Sequence, residues 1–212
     1  MKQLFLSFGF LIVAYASNAQ MTKYQQAMGQ TMIKMNEAKN SPQAYHEVSN
    51  SFLRIASNEK TEWLPTYYAA YSLIMEAMFM EKDGIDITLD QADKLLSELS
   101  SKTANDEILV LQAFSKSTRI GVDPMTRGMK YGTESAKLLT QAKTMNAENP
   151  RIYFLEAQAA YYTPEQFGGG KKRASPLFQL AMEKYNNFKP KSEFMPTWGR
   201  EAAVKMFEET SK

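Results

Sequence analysis

The apolar positions along this chain fall on a helical period almost throughout. Ala92, Leu96 and Leu99, then Ser135, Leu139 and Ala142, then Ala174, Phe178 and Ala181 repeat one spacing of four and three residues, which sets each trio on a single helix face. Small residues beside a large one make each face a narrow seam with room for a close neighbour. Val48, Phe52 and Ile55 form a looser copy. The large residues of the four seams recur after 44, 43 and 39 positions, the self-similarity of stacked helical pairs. Strict alternation is confined to Ile85-Asp86-Ile87, too short a run to found a sheet.

Proline marks where the helices begin. Ser41-Pro42, Asp123-Pro124 and Asn149-Pro150 each place a capping side chain before a proline whose missing N–H costs nothing at the first helical position. Thr88 with Gln91 has the capping-box spacing and predicts a further start at Leu89. Together with the apolar spacing these signals predict helices at about 22–38, 42–57, 62–80, 89–101, 105–120, 124–145, 150–162, 172–187 and 198–210. Aromatic or apolar first helices, at Trp63 to Met78, Ile108 to Ile120 and Ile152 to Tyr162, each precede a seam-bearing second helix. The expected fold is therefore all-α: three to four stacked antiparallel pairs, capped by the first helix and by the helix from Trp198 to Phe207.

The residues that carry this alternation resemble tetratricopeptide repeats. The resemblance is sharpest over 149–181, from Asn149-Pro150-Arg151-Ile152-Tyr153 through Tyr162-Thr163-Pro164-Glu165-Gln166-Phe167-Gly168-Gly169-Gly170-Lys171 to Ala174 and Ala181, and is diffuse over 42–190. It is similar there to exported tetratricopeptide-like proteins of Gram-negative bacteria. Repeats of 39 to 44 residues exceed the usual 34, and Trp63, Tyr67 and Tyr71 only echo the first-helix signature. The resemblance implies a right-handed α-solenoid and a binding role. Such proteins usually scaffold other proteins, and one exported branch serves solute transporters by handling ligands.

Composition sets the compartment. Lys2 followed by an apolar run from Leu4 to Ala16, broken only by Ser7, and the small-residue end Ser17-Asn18-Ala19 read as a signal peptide over residues 1–19, cleaved after Ala19 to leave one domain over 20–212. Thirteen residues are too few for a bilayer span, which needs about 20, so no membrane insertion is expected after cleavage. The chain has no cysteine, so it has neither a lipidation site nor a disulfide, and a periplasmic or secreted location suits it. A net charge of +2 with Lys and Arg scattered along 212 residues gives no support for nucleic acid as a partner.

Few residues offer chemistry. Gly168-Gly169-Gly170-Lys171-Lys172-Arg173 lacks the phosphate-loop spacing and follows a helix, so a simple interhelical turn is expected and an anion cradle is the lesser alternative. Asp83, Asp86, Asp90 and Asp93 lack the calcium-loop pattern and read as cap and dipole chemistry around Thr88. Met28, Met32 and Met35 have the spacing of a core stripe in preference to a copper site. His46 is the only histidine and is expected on a helix surface, leaving zinc sites and His-dependent triads without parts. No nucleophile elbow, Ser-x-x-Lys pair or zinc-protease motif occurs. No catalytic residue, metal or cofactor is expected.

Binding is the remaining class. Aromatic residues on successive first helices could line a concave groove, with polar neighbours supplying specificity. The candidate set is Trp63, Tyr67, Tyr71, Gln112, Lys116, Tyr153, Gln158 and Tyr162. The expected function is a non-catalytic scaffold or adaptor for a protein or peptide in the cell envelope. The alternative is a small-ligand-binding accessory of a solute transporter.

Overall fold

The computed structural model describes residues 21–211, so the segment read as a signal peptide lies outside the described residues. Those residues form α1 Lys23–Glu37, α2 Pro42–Asn58, α3 Leu64–Phe79, α4 Lys82–Ser100, α5 Asp106–Ile120, α6 Pro124–Met145, α7 Pro150–Tyr162, a short 3-10 turn at Glu165–Phe167, α8 Lys171–Asn187 and α9 Arg200–Thr210. No strand occurs among them. None of these helices is long and apolar enough to cross a membrane.

The proline-marked starts form as the sequence dictates. Ser41, Asp123 and Asn149 side chains accept the N–H of Ala44, Thr126 and Arg151, each satisfying a donor that the first turn would leave open, worth about 1 kcal/mol. Thr22 and Gln25 close a reciprocal capping box on α1.

The seams hold the helices together in pairs. All twelve seam residues are buried, with Phe52, Leu96 and Phe178 completely enclosed. Small residues do what the pattern required: Ala69, Ala70, Ala113 and Ala157 are fully buried on the first helices, and backbones come close enough for hydroxyls to cross. Ser49 donates to the Ala69 carbonyl at 3.1 Å and Ser135 to the Ala113 carbonyl at 3.0 Å. The main pairings are α3 with α2 and α4, α5 with α6, and α7 with α8. First helices also meet one another, α3 with α5 and α5 with α7, so they form an inner layer and the seam helices an outer one. At the two ends α1 packs on α2 and α9 on α8.

One boundary differs from the sequence expectation. Helix α4 begins at Lys82, so Thr88 is an interior residue whose hydroxyl points to the Met80 sulfur at 3.5 Å, and the capping box over 88–91 does not form. Ile85 and Leu89 extend the stripe of Ala92, Leu96 and Leu99 backwards by two turns, and that burial outweighs a local cap. Ile85-Asp86-Ile87, which alternates like a strand, is helical for the same reason.

Candidate functional site

The inner layer is not an open groove. After α8 the chain turns back as an irregular segment, residues 188–199, and lays Trp198 on the first helices. The indole stacks on Tyr71 at 5.3 Å and 28° and on Phe114 at 5.5 Å and 19°, and its N–H donates to the Tyr67 hydroxyl at 2.9 Å. Tyr68 donates to the Phe194 carbonyl and Tyr185 to the Trp198 carbonyl, each at 2.9 Å. The turn closes at Gly199, with φ of 96°, where a Cβ would come within 2.2 Å of the Tyr185 hydroxyl; only glycine fits. Burial pushes the hydroxyls of Tyr67, Tyr68, Tyr71 and Tyr185 well above the usual tyrosine range, so all four stay neutral.

Beneath Trp198 lies a buried ionic network that the sequence did not announce. Glu107 on α5 and Arg151 on α7 form a bidentate pair, with Arg151 fully enclosed. Asn149 donates to both Glu107 and Asp106 at 2.8 Å, and Asn146 to Asp106 at 2.8 Å. The guanidinium carbon stands 4.8 Å from the centre of the Phe188 ring and 5.9 Å from that of Trp198, and its Nη1 has no hydrogen-bond partner. Burial pushes the Glu107 carboxyl up, against the pull of Arg151. Burial would lower the Arg151 guanidinium, but Glu107 holds it above its ordinary value. Asn149-Pro150-Arg151 was legible as a helix start; its second role requires knowing that α5 stands opposite.

The eight candidate groove residues are dispersed by the fold. Tyr67 and Tyr71 contact Trp198, and Trp63 meets the fully buried Tyr67 edge-on at 5.4 Å. Gln112 donates to Ser100 at 3.1 Å and Lys116 to Asp93 at 2.8 Å, so both face α4. Tyr153 donates to the Ala147 carbonyl at 2.7 Å and lies under Lys143 and Lys184. Gln158 points to the Met206 sulfur of α9 at 3.7 Å. Tyr162 alone is exposed, at 70%.

Of the acidic stretch, Asp83 lies in the first turn of α4, where the dipole reading put it, and the other three form a helix face and not a cap. Asp86, Asp90 and Asp93 follow the spacing of one α4 face and meet Arg119, which bonds all three at 2.7 to 3.2 Å. Arg127 grips Asp86 through two nitrogens at 2.8 and 2.9 Å, and Lys116 holds Asp93. Arg127 beside Asp86 holds that carboxyl below its ordinary value. Burial raises Asp93, but Lys116 and Ser115 outweigh it and the net shift is downward. His46, half-exposed on α2, contacts the Glu76 carboxylate at 3.2 Å.

At the α7–α8 turn the three glycines are committed internally. Gly168, Gly169 and Gly170 N–H groups donate to the Glu165, Pro164 and Ala160 carbonyls at 2.9, 3.3 and 2.9 Å, so the loop is a turn and its amides are not free for an anion. Beyond it an open groove of about 640 Å³ runs between the start of α8 and the end of α9, lined by Lys171, Lys172, Pro176, Phe207 and Glu209 among others. Tyr162 stands outside that lining. Its hydroxyl is raised by the protein around it, by Tyr161 and by the Glu209 carboxylate, and its ring meets Tyr161 edge-on at 5.0 Å. Because helices alternate in direction, the α3–α4, α5–α6 and α7–α8 turns share one end of the layers. Large exposed apolar side chains gather at that end: Phe79, Ile87, Met125, Met129, Tyr162 and Phe167.

Comparison with known proteins decides the family. The chain is similar to the solved HusA haemophore from Porphyromonas gingivalis, with 32% sequence identity and a TM-score of 0.80 over 90% of this chain and 94% of that one. The chain belongs to the HusA family. The match with HusA spans the stacked pairs as a whole and not a single repeat. No family model matches the chain, nor does any curated protein.

Proposed function

We propose that this protein binds haem as a cargo, outside the cytoplasm and without catalysing a reaction on it. The likeness to the HusA haemophore over nearly the full length of both chains carries the reading. It favours the small-ligand alternative over the protein or peptide scaffold that the repeats alone suggested. The chemistry of the chain is compatible with such a cargo. Aromatic and thioether side chains are exposed at one end, at Tyr162, Phe167, Met125 and Met129, and offer faces and soft donors to a large planar apolar ring. His46 is the chain's one imidazole, so coordination by two histidines is not among its means of holding iron.

Residues 1–19 are the export signal in this reading, and the mature protein starts at Gln20 as a periplasmic or secreted, tetratricopeptide-like right-handed solenoid. Titrating the mature chain with haemin is the test. The expected result is a shifted Soret band that saturates at one equivalent; an unshifted spectrum with the chain at about 10 μM contradicts the proposal.

A further inference from the structure

We propose, on the haem-binding reading above, that the tetrapyrrole docks in the groove between α8 and α9, with its carboxylate edge on Lys171 and Lys172 and its ring against Tyr162 and Phe207. Haem is an amphipathic dianion: one edge carries two propionates and the rest is flat and apolar. A matching site needs cations on one side of an apolar wall, in a space that is already open. The α8–α9 groove has this arrangement. Lys171 and Lys172 are exposed on the first turn of α8. Pro176 on the next turn and Phe207 on α9 supply apolar lining among Ser175, Gln179, Thr210 and Ser211; Tyr162, outside that lining and mostly uncovered, is near enough to Glu209 to feel its charge. A volume of about 640 Å³ lies within the range of about 300–1,000 Å³ usual for small-molecule sites.

Two observations separate this groove from the rest of the surface. The inner aromatic face is already filled: Trp198 occupies the space between Tyr71 and Phe114, and its N–H is bonded to Tyr67. The second groove, between α1 and α2, is lined by Lys34, Glu37, Glu47, Asn50, Ser51 and Arg54 along with three aliphatic residues and no aromatic one, so it offers no ring wall. Within the α8–α9 groove, Glu209 has the wrong sign for a dianion. That mismatch makes the assignment sharper, because removing the charge should tighten binding, an outcome that loss of structure does not mimic.

The experiment is a Soret titration with haemin of the full mature chain, of Lys171→Glu with Lys172→Glu, of Tyr162→Ala and of Glu209→Gln, at low and high salt. Circular dichroism confirms the fold of each. The expected result is binding weakened about tenfold by the double lysine reversal, weakened by Tyr162→Ala, tightened by Glu209→Gln, and less salt-sensitive once the lysines are reversed. Haem binding by the wild type that none of these substitutions changes would overturn the assignment and leave the haem reading standing. No binding by the wild type would overturn the reading itself, and the assignment with it.

Discussion

Trp198 and Tyr162 are large aromatic residues in one helical chain, yet the fold treats them in opposite ways. Trp198 is stacked on two rings, hydrogen-bonded through its indole N–H and its carbonyl, and set above an enclosed guanidinium. Tyr162 meets one neighbouring ring and is otherwise largely open to solvent, near the Glu209 carboxylate. The inner face has been used up in holding the molecule together, while the end of the layers retains uncommitted apolar surface. Aromatic residues on a repeat protein therefore divide by what lies above them. A segment outside the repeats, 188–199, decides that here.

The hardest way to break the contrast is at its buried side. Arg151→Met leaves Glu107 enclosed without its partner and is expected to cost about 3–5 kcal/mol, read as a lowered urea midpoint. The double variant Glu107→Leu, Arg151→Met should cost less than the single one, since it removes the stranded charge. Trp198→Ala is expected to cost about 3 kcal/mol and to leave Tyr67 without its indole donor. If the inner face were the cargo site, this variant would instead bind haem more tightly by uncovering it.

Acid sharpens the comparison more gently. Asp86 and Asp93 titrate below their ordinary value in the folded chain, so their contribution is complete above the unfolded value of about 3.9 and is lost as pH falls through the lower folded values. Urea midpoints measured from pH 5 to pH 3 should fall, and the fall should be shallower in Asp86→Asn, Asp93→Asn. The α8–α9 groove lies away from this network, so these substitutions should leave haem binding at neutral pH unchanged.

Much of the framework was legible because it is local. Proline at the first helical position, an Asn, Asp or Ser before it, and spacings of three and four settle eight of the nine α-helices among the described residues to within about two residues. The ninth, α4, was cut short because Thr88-Leu89-Asp90-Gln91 looks like a cap until Ile85 is seen to continue its stripe. Burial in the seams was legible too, and Phe52, Leu96, Leu139 and Phe178 are all buried. The site was not. Tyr67, Gln112 and Tyr162 are equivalent in sequence, each a polar-tipped residue on a first helix. Their different fates depend on what faces them: Trp198 and Ser100, 131 and 12 residues away, bond Tyr67 and Gln112, while Tyr162 is left exposed. Spacing along one helix says nothing about such pairings, and the same gap hid Glu107–Arg151 and the Asp86, Asp90 and Asp93 ladder.

Hydrogen exchange of the wild-type chain with and without haemin tests the central contrast most directly, because it reports both regions in one sample. Slower amide exchange on haem binding is expected at Lys171–Gln179 and Phe207–Ser211, with no change across 188–199. Faster exchange of 188–199, with 171–179 unaltered, would show that haem displaces Trp198 from the inner face, and would contradict the contrast.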